Sequence, residues 1–305
     1  MITNYTKKLV DNLPKEFKNK KKPMKLDLVL DGGVFNGSYL FGALYFLKEM
    51  ESRKYMKIER ISGSSVGSIA GLIYFIDCLD YYQYLYEIVV TDLKKSYNLK
   101  IIKQLHFYLK EKIPDDICER VNGKFFISYY DIKKGRKIVK SNFEDAEDVI
   151  NTVINSCFLP FLIDGNMLNN DRYIDGLNPY FFDPEPDKKI LYLDLFGMDK
   201  IKYLFDVKNE GTTCHRILSG LLDIHKFFIK KSATSMCSFI SEWGLYDNFR
   251  FTIKILIEYL IIYIVYFIGF VRKYFKKNMK KNNFYKIFSR FGYKLYILLL
   301  KTYCL

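Results

Sequence analysis

The stretch IERISGSSVGSIAG, from Ile58 to Gly71, places Ser65 between two glycines in the pattern G-S-S-V-G. Residues 58–61 have the composition of a short strand, and the apolar spacing from Ser68 onward predicts the start of a helix. Ser65 is therefore expected on a tight strand-to-helix turn, where the flanking glycines remove side chains that would crowd the turn or block an approaching carbonyl. This arrangement suits a serine nucleophile. The alternative is a flexible turn that does no more than precede a helix.

A second unit of strand, glycine-rich loop and helix lies just upstream. Leu26 to Leu30 is a compact apolar run, the loop DGGVFNG follows at 31–37, and apolar residues recur at helical spacing over 39–50. Strands that alternate with helices predict an α/β fold with a parallel or mixed central sheet and a site at the carboxyl ends of its strands. The successive N–H groups of the loop suit an oxyanion hole. A phosphate loop would need lysine where Ser38 stands, and a dinucleotide loop would need glycine in place of Val34.

Chain order offers the serine two possible bases. The first is a triad in which Ser65 and Asp175 precede His215 or His225, the acid-before-histidine order of α/β-hydrolases. The second is a dyad in which Asp175 itself takes the serine proton. Both late histidines fall in a stretch with a helical pattern, and Ser65 follows a single preceding strand unit, so the dyad fits the sequence better.

Four blocks, in this order and at this spacing, resemble the patatin-like phospholipase family: LDGGVFNGSYLFGALYFL at 30–47, GSSVG at 63–67, SCFLPF at 156–161 and YIDG at 173–176. The resemblance covers residues 24–200 or so. It implies a patatin-like mixed or parallel sheet flanked by helices, and a Ser-Asp dyad that hydrolyses acyl esters of phospholipids or neutral lipids without a metal or cofactor. Carried over by position, it makes Ser65 the nucleophile and Asp175 the base. It assigns the oxyanion hole to Gly32, Gly33 and Val34, and it gives supporting places in the motifs to Gly37, Gly63, Gly67 and Gly176.

Three positions depart from the family pattern. Val34 stands where the family has a third loop glycine, Asn36 where it has Arg or Lys, and Leu177 where a small residue follows the Asp-Gly pair. Because backbone N–H groups do the oxyanion work, we expect Val34 to be compatible with it, whereas the missing charge at Asn36 is expected to lower activity or change the substrate. A rival Asp-Gly pair at Asp164 has the pattern of an ordinary turn.

Composition and charge indicate the general class of the protein and how the rest of the chain is organised. Half of the 305 residues are hydrophobic, which excludes a disordered chain, and six cysteines without a CxxC pair indicate a reducing, intracellular compartment. The net charge of +14 belongs mainly to the end of the chain, because ten basic and no acidic residues follow Glu258. We expect a loose, basic N-terminal arm over 1–24, a hydrolase domain over 25–240 and a membrane-associated helical tail over 250–305.

The tail contains two apolar segments. Residues 255–271 are apolar apart from Glu258 and would span about 26 Å as a helix, which suits either a tilted single-pass span or a helix lying in the membrane plane. Residues 284–301 predict a basic amphipathic helix for an anionic membrane surface on the cytoplasmic side. The alternatives are that both helices pack as extra core, that the protein is a catalytically silent membrane-anchored adaptor, or that the basic tail binds nucleic acid. The apolar runs between the lysines argue against nucleic acid, and the sequence predicts no oligomeric state.

Overall fold

The computed structural model describes residues 2–18, 22–197, 199–208, 213–279 and 294–302, apart from the side chains of 272–279. Within these ranges one sheet contains seven strands: β1 Met24–Leu30, β2 Met56–Ser64, β3 Phe125–Asp131, β4 Arg136–Lys140, β5 Tyr173–Asp175, β6 Lys188–Leu193 and β7 Cys237–Phe239. The α-helices are α1 Ile2–Asp11, α2 Lys15–Lys18, α3 Gly37–Ser52, α4 Val66–Phe75, α5 Tyr81–Ser96, α6 Leu105–Leu109, α7 Ile117–Val121, α8 Ala146–Ser156, α9 Cys214–Lys230 and α10 Leu245–Met279. The predicted α/β class, with a mixed sheet and flanking helices, is confirmed.

The sheet has the order β4-β3-β2-β1-β6-β7, and β5 pairs with β3 beyond the end of β2. β1 lies parallel to both β2 and β6, and β2 lies parallel to β3, whereas β4, β5 and β7 are antiparallel additions. Parallel strands end on the same side, so the loops that follow β1 and β2 meet at one edge of the sheet. Leu30 pairs with Gly63, which brings the loop at 31–37 beside the turn that carries Ser65.

The central strand is covered on both faces. Leu26, Leu28 and Leu30 of β1 belong to the main core beneath the helices, while Val29 belongs to a smaller cluster with Ile190 and Tyr192 on the other face. All six side chains are buried. Burial on both faces explains why β1 has a continuous apolar sequence instead of an alternating one.

Two helices of the main core approach so closely that each needs a glycine at the crossing. A Cβ atom on Gly42 of α3 would overlap the carbonyl oxygen of Ile217 in α9, and a Cβ on Gly220 of α9 would overlap the carbonyl oxygen of Tyr39 in α3. α3 starts directly after the loop at 31–37, so this crossing fixes the helix against which that loop is built.

The expectation of a loose N-terminal arm is wrong for its first part. α1 packs against α3 and α9, and its Thr6, Leu9 and Val10 side chains are buried. The helix has a strongly amphipathic pattern, and both of its lysines lie on the exposed side. The lysine-rich composition of residues 1–24 does not reveal this pattern.

The apolar segment predicted at 255–271 is the middle of a longer helix, α10. In the part of the chain that the structure describes, residues 245–271 of α10 are the one stretch long and apolar enough to cross a membrane. The most apolar 18 residues within it have a mean hydropathy of 2.1, and 17% of them are buried. Much of the helix at 284–301 lies outside the described residues. Residues 294–302 are helical, and the Tyr296 hydroxyl donates to the Tyr97 carbonyl oxygen (3.1 Å).

Candidate functional site

Ser65 lies on the sharp turn between β2 and α4, as its sequence predicts. Its backbone angles, φ 50° and ψ −129°, belong to a region that residues with a side chain rarely adopt, and such strain is typical of functional turns. A Cβ on Gly63 would come within 2.5 Å of the Gly67 carbonyl oxygen, and one on Gly67 within 2.5 Å of the Leu30 carbonyl oxygen. Both flanking glycines are therefore required by close backbone approach.

The strained backbone of Ser65 is held by hydrogen bonds on both sides. Its N–H donates to Ser156 Oγ (2.9 Å), and that hydroxyl donates onward to the Ser128 carbonyl oxygen (2.6 Å). Its carbonyl oxygen accepts from Ser68 Oγ (2.6 Å) and from Cys157 Sγ (3.1 Å). The roles of Ser156 and Cys157 were not predicted. The sequence contained one indication of these roles: two small polar residues begin the block SCFLPF at the end of a helix.

The register of the sheet brings Asp175 beside Ser65. Ser64, the last residue of β2, pairs with Ser128 of β3, and the next residue of β3, Tyr129, pairs with Asp175 at the end of β5. β5 therefore continues the line of β2 across the turn. Gly176 makes this possible, because a Cβ there would overlap the carbonyl oxygen of Ser128.

The environment of Asp175 gives its carboxyl group the character of a base. Full burial raises the pKa of Asp175 to about 7, against the opposing effects of the Ser65 hydroxyl and the Leu177 amide. The Leu177 N–H donates to Oδ1 (2.7 Å), whereas Oδ2 is buried and makes no fully formed hydrogen bond with a described residue. A carboxylate with one oxygen uncommitted and a pKa near neutrality can accept a proton from the serine that it contacts.

The loop after β1 approaches Ser65 from the other side. A Cβ on Gly32 would lie 3.2 Å from Ser65 Cβ, and a Cβ on Gly33 would lie 2.8 Å from Leu195 Cβ. Gly33 has φ 155° and Val34 has φ 45°, so the β-branched Val34 occupies the left-handed region at a cost in strain. In the described structure, backbone carbonyls accept from the amides of Asp31, Phe35 and Asn36 but not from those of Gly33 or Val34. Two N–H donors beside Ser65 are thus available to a ligand.

Asn36 does not face the reacting side of this loop. Its side chain is buried and donates to the carbonyl oxygens of Leu195 (3.2 Å) and Lys200 (2.9 Å). Its Oδ1 accepts from the guanidinium group of Arg216 (3.1 Å), a fully buried side chain of α9. A positive charge is therefore present behind the loop although position 36 is neutral. Sequence reasoning missed Arg216 because 180 positions separate it from Asn36.

An apolar cavity of about 90 Å³ adjoins Ser65. Its walls are almost entirely apolar side chains from the loop after β1, from α5, from residues 99–105 and from the segment after α8, among them Val34, Leu85, Tyr86, Ile102, Leu105 and Leu159. A site of this kind accepts a hydrocarbon chain and offers it few polar groups.

The rival site residues lie in other surroundings. Asp164 pairs with Lys103 (2.9 Å) and accepts from the Asn166 amide (2.9 Å), as in an ordinary turn. His215 is exposed on α9, and the ring of His225 packs against that of Phe46 with centroids 5.9 Å apart. The described residues contain no group of three or more His, Cys, Asp and Glu side chains arranged to hold a metal ion.

Comparison with known proteins places the chain in a family. The model of the patatin-like phospholipase family matches residues 28–180, which is half of the chain. Similar curated proteins include an omega-hydroxyceramide transacylase of Homo sapiens, 25% identical over 48% of this chain and 29% of that protein. A 1-acylglycerol-3-phosphate O-acyltransferase of Mus musculus is 26% identical over 48% of this chain and 37% of its own length, and that of Homo sapiens is 23% identical over 66% and 50%. The chain thus matches half or less of the length of these relatives.

Proposed function

Since the chain belongs to the patatin-like phospholipase family, we propose that it cleaves fatty-acyl esters of membrane lipids through an acyl-enzyme on Ser65. The observation that carries the proposal is the pair formed by Ser65 and the buried carboxyl of Asp175, next to an apolar cavity and two unused N–H groups. The family match and the names of the relatives support lipid processing. The Ser-Asp dyad and the hydrolytic outcome are our proposal.

The proposed reaction has two acyl-transfer steps. Ser65 Oγ attacks the ester carbonyl while Asp175 accepts its proton, and the N–H groups of Gly33 and Val34 stabilise the oxyanion. The proton on Asp175 then passes to the leaving alcohol or lysolipid, which departs and leaves the fatty acid esterified to Ser65. Water next attacks this ester, Asp175 takes a proton from the water, and the free fatty acid is released as Ser65 Oγ recovers the proton.

A second candidate outcome is transfer of the acyl group to an alcohol instead of water. The relatives are named as a transacylase and acyltransferases, and both outcomes use the same acyl-enzyme. They differ only in which acceptor reaches the acyl-enzyme. A hydroxyl-bearing lipid that occupies the place of the attacking water would give transfer.

The test measures fatty-acid release from mixed phospholipid vesicles, with and without a monoacylglycerol or lysophospholipid acceptor, by the unmodified protein and its variants. Ser65→Ala and Asp175→Asn should lose release and transfer by about 10³-fold or more, whereas His215→Ala and His225→Ala should retain them. Loss in a histidine variant would favour a triad. No product from the unmodified protein, despite vesicle binding, would favour a catalytically silent adaptor.

We further propose that α10 associates with the membrane as an in-plane helix. One of its faces carries apolar side chains, each more than half exposed: Tyr246, Phe249, Leu256, Tyr259, Tyr263 and Phe267. The opposite face is packed on the domain through Glu258, Ile262 and Val265, and the Tyr266 hydroxyl donates to the Ile132 carbonyl oxygen (2.7 Å). A crossing helix would have to break these contacts or draw polar parts of the domain into the hydrocarbon core. The basic residues after Arg272 suit an anionic, cytoplasmic membrane surface.

A further inference from the structure

The packed face of α10 carries two charged side chains one helical turn apart, Lys254 and Glu258. Residues at this spacing project from the same face of a helix. Both side chains are largely buried, with Lys254 15% and Glu258 8% exposed. Neither residue lies within the family match at 28–180, so they belong to a part of the chain that the family pattern does not explain.

Lys254 reaches the loop that approaches Ser65 after β1. Its Nζ donates to Oδ2 of Asp31 (2.5 Å), the residue immediately before Gly32, and also to Asp194 Oδ1 (3.1 Å) and the Tyr192 hydroxyl (2.6 Å). Asp31 is completely buried, and burial raises its pKa while the Lys254 ammonium opposes that rise. Lys254 thus neutralises the carboxylate on which the loop begins.

Glu258 reaches the loop that follows Asp175. Its Oε2 accepts from Asn178 Nδ2 (2.6 Å), and its Oε1 accepts from Lys137 Nζ (2.9 Å). Asn178 directly follows Leu177, whose N–H donates to Asp175 Oδ1 and whose carbonyl oxygen accepts from Ser64 Oγ (3.0 Å). The carboxylate of Glu258 therefore holds the end of the segment that orients Asp175.

We propose that Lys254 and Glu258 are positioning residues, which together hold the oxyanion loop and the Asp175 loop in the relative placement that acyl transfer needs. The proposal rests on the function proposed above. One rigid helix contacts both loops, so their separation is set by the distance between two side chains of α10. Removing Lys254 leaves the buried Asp31 carboxylate uncompensated, and removing Glu258 leaves the Asn178 amide without its acceptor. The loop that bears the unpaired group then moves to find water. Displacement of a reacting group by about 1 Å is enough to lower turnover about 10²-fold.

The experiment compares full-length variants in two measurements. Lys254→Met and Glu258→Leu remove the two contacts, while Lys254→Arg and Glu258→Gln keep a donor and an acceptor in place. Tyr266→Phe is the matched control, because it removes a hydrogen bond between α10 and the domain that touches neither loop. The first measurement is kcat and KM on a soluble short-chain nitrophenyl ester, which needs no membrane. The second is amide hydrogen exchange at residues 31–37 and 175–179.

We expect Lys254→Met to speed exchange at 31–37 and Glu258→Leu to speed it at 175–179. Each should lower kcat about 10²-fold with KM little changed, and Lys254→Arg and Glu258→Gln should restore most of the loss. Tyr266→Phe should alter neither measurement. General destabilisation of the fold would speed exchange in both loops, and not in one loop for each variant. If one variant fails to fold, the other still tests the loop that it contacts.

The proposal is overturned if the two loops exchange in Lys254→Met and Glu258→Leu as they do in Tyr266→Phe, or if kcat is unchanged in both. Absence of ester turnover by the unmodified protein would instead count against the proposed function. In that case the exchange measurement alone decides whether α10 positions the loops.

Discussion

Ser65 occupies a backbone conformation that it would not adopt alone, and Ser156 is one of the groups that keep it there. Ser156 Oγ accepts from the Ser65 amide and donates to the Ser128 carbonyl oxygen, so a single hydroxyl connects the Ser65 turn to β3. All of these groups are buried, and water cannot easily replace the hydroxyl. The strain at Ser65 is thus sustained by a side chain 91 positions away.

We predict that Ser156→Ala lowers the free energy of unfolding by about 1–3 kcal/mol, because a buried donor and a buried acceptor lose their partner. Turnover of a soluble ester should fall about 10-fold with KM nearly constant, because the turn relaxes while the cavity remains. Denaturant unfolding and steady-state kinetics measure the two effects. Ser52→Ala, which removes an exposed hydroxyl that bonds only to the Glu49 carbonyl, is the control. Unchanged kcat with lowered stability would contradict the positioning role.

The charge next to Asp175 should set the pH dependence of the reaction. The pKa of Asp175 is raised to about 7 by burial, and the positive charge of Lys137 lowers it from the still higher value that burial alone would give. A base must be deprotonated to act, so kcat/KM should rise with pH through about 7. We predict that Lys137→Met raises the pKa of Asp175 and moves this rise to higher pH.

The control for this prediction is Lys140→Met on the same strand. Lys140 is paired with Asp148 (2.5 Å), whereas Lys137 is the lysine whose charge lowers the pKa of Asp175, so loss of Lys140 should leave the profile in place. A profile that moves to lower pH in Lys137→Met, or that moves equally in both variants, would contradict the assignment of Asp175 as the base.

Sequence reasoning placed Ser65, Asp175 and the loop glycines because each is encoded locally, by turn residues at fixed offsets. It did not find Ser156, Cys157 or Arg216. These residues act through contacts between segments 90 to 180 positions apart, which no periodicity reports. The charge missing at Asn36 illustrates the limit, because the guanidinium group behind the loop comes from another helix.

At the scale of elements, the crossing of α3 and α9 ties the base of the loop at 31–37 to the rest of the core. We predict that Gly42→Ala lowers the free energy of unfolding by about 1–3 kcal/mol, because its Cβ would overlap backbone of α9 that cannot move without shifting the helix. Gly244→Ala, where the nearest atom is 3.8 Å from the new Cβ, should change stability by less than about 0.5 kcal/mol. Thermal or denaturant unfolding of both variants provides the comparison, and equal stabilities would refute the close crossing.

The helices and strands were easier to predict from the sequence than the surfaces on which they pack. The strands β1 and β6, the hairpin of β3 and β4, and the helices α3, α4 and α8 follow from apolar patterning and turn residues, with ends that differ by a few residues. α1 was misjudged because residues 1–24 as a whole are rich in lysine, although the apolar residues of the helix share one face. α10 was predicted too short, because its first turns contain the polar residues that face the domain.

At the scale of the whole molecule, one prediction separates an in-plane α10 from a spanning one. Single tryptophans in place of Tyr246, Leu256 and Phe267, in a Trp243→Phe background, lie up to 21 positions apart, or about 32 Å along the helix. If the helix lies in the plane, lipids brominated at shallow positions should quench all three equally, with depths of about 5–10 Å below the headgroups. A graded depth that reaches the bilayer centre at Leu256 would establish a span instead.

Asp31 and Lys254 are 223 positions apart, which matters for how the protein is made. During translation, β1, β2 and the serine turn leave the ribosome long before the counter-charge of Asp31 has been synthesised. A buried carboxylate without its partner is unfavourable, so in the nascent chain the loop beside Ser65 is not yet stabilised. The late helix that stabilises this loop is also the one proposed to meet the bilayer. The proposed acyl-transfer activity would then begin only after the chain has acquired the helix that reaches a membrane, and lipids near a translating ribosome would not be cleaved.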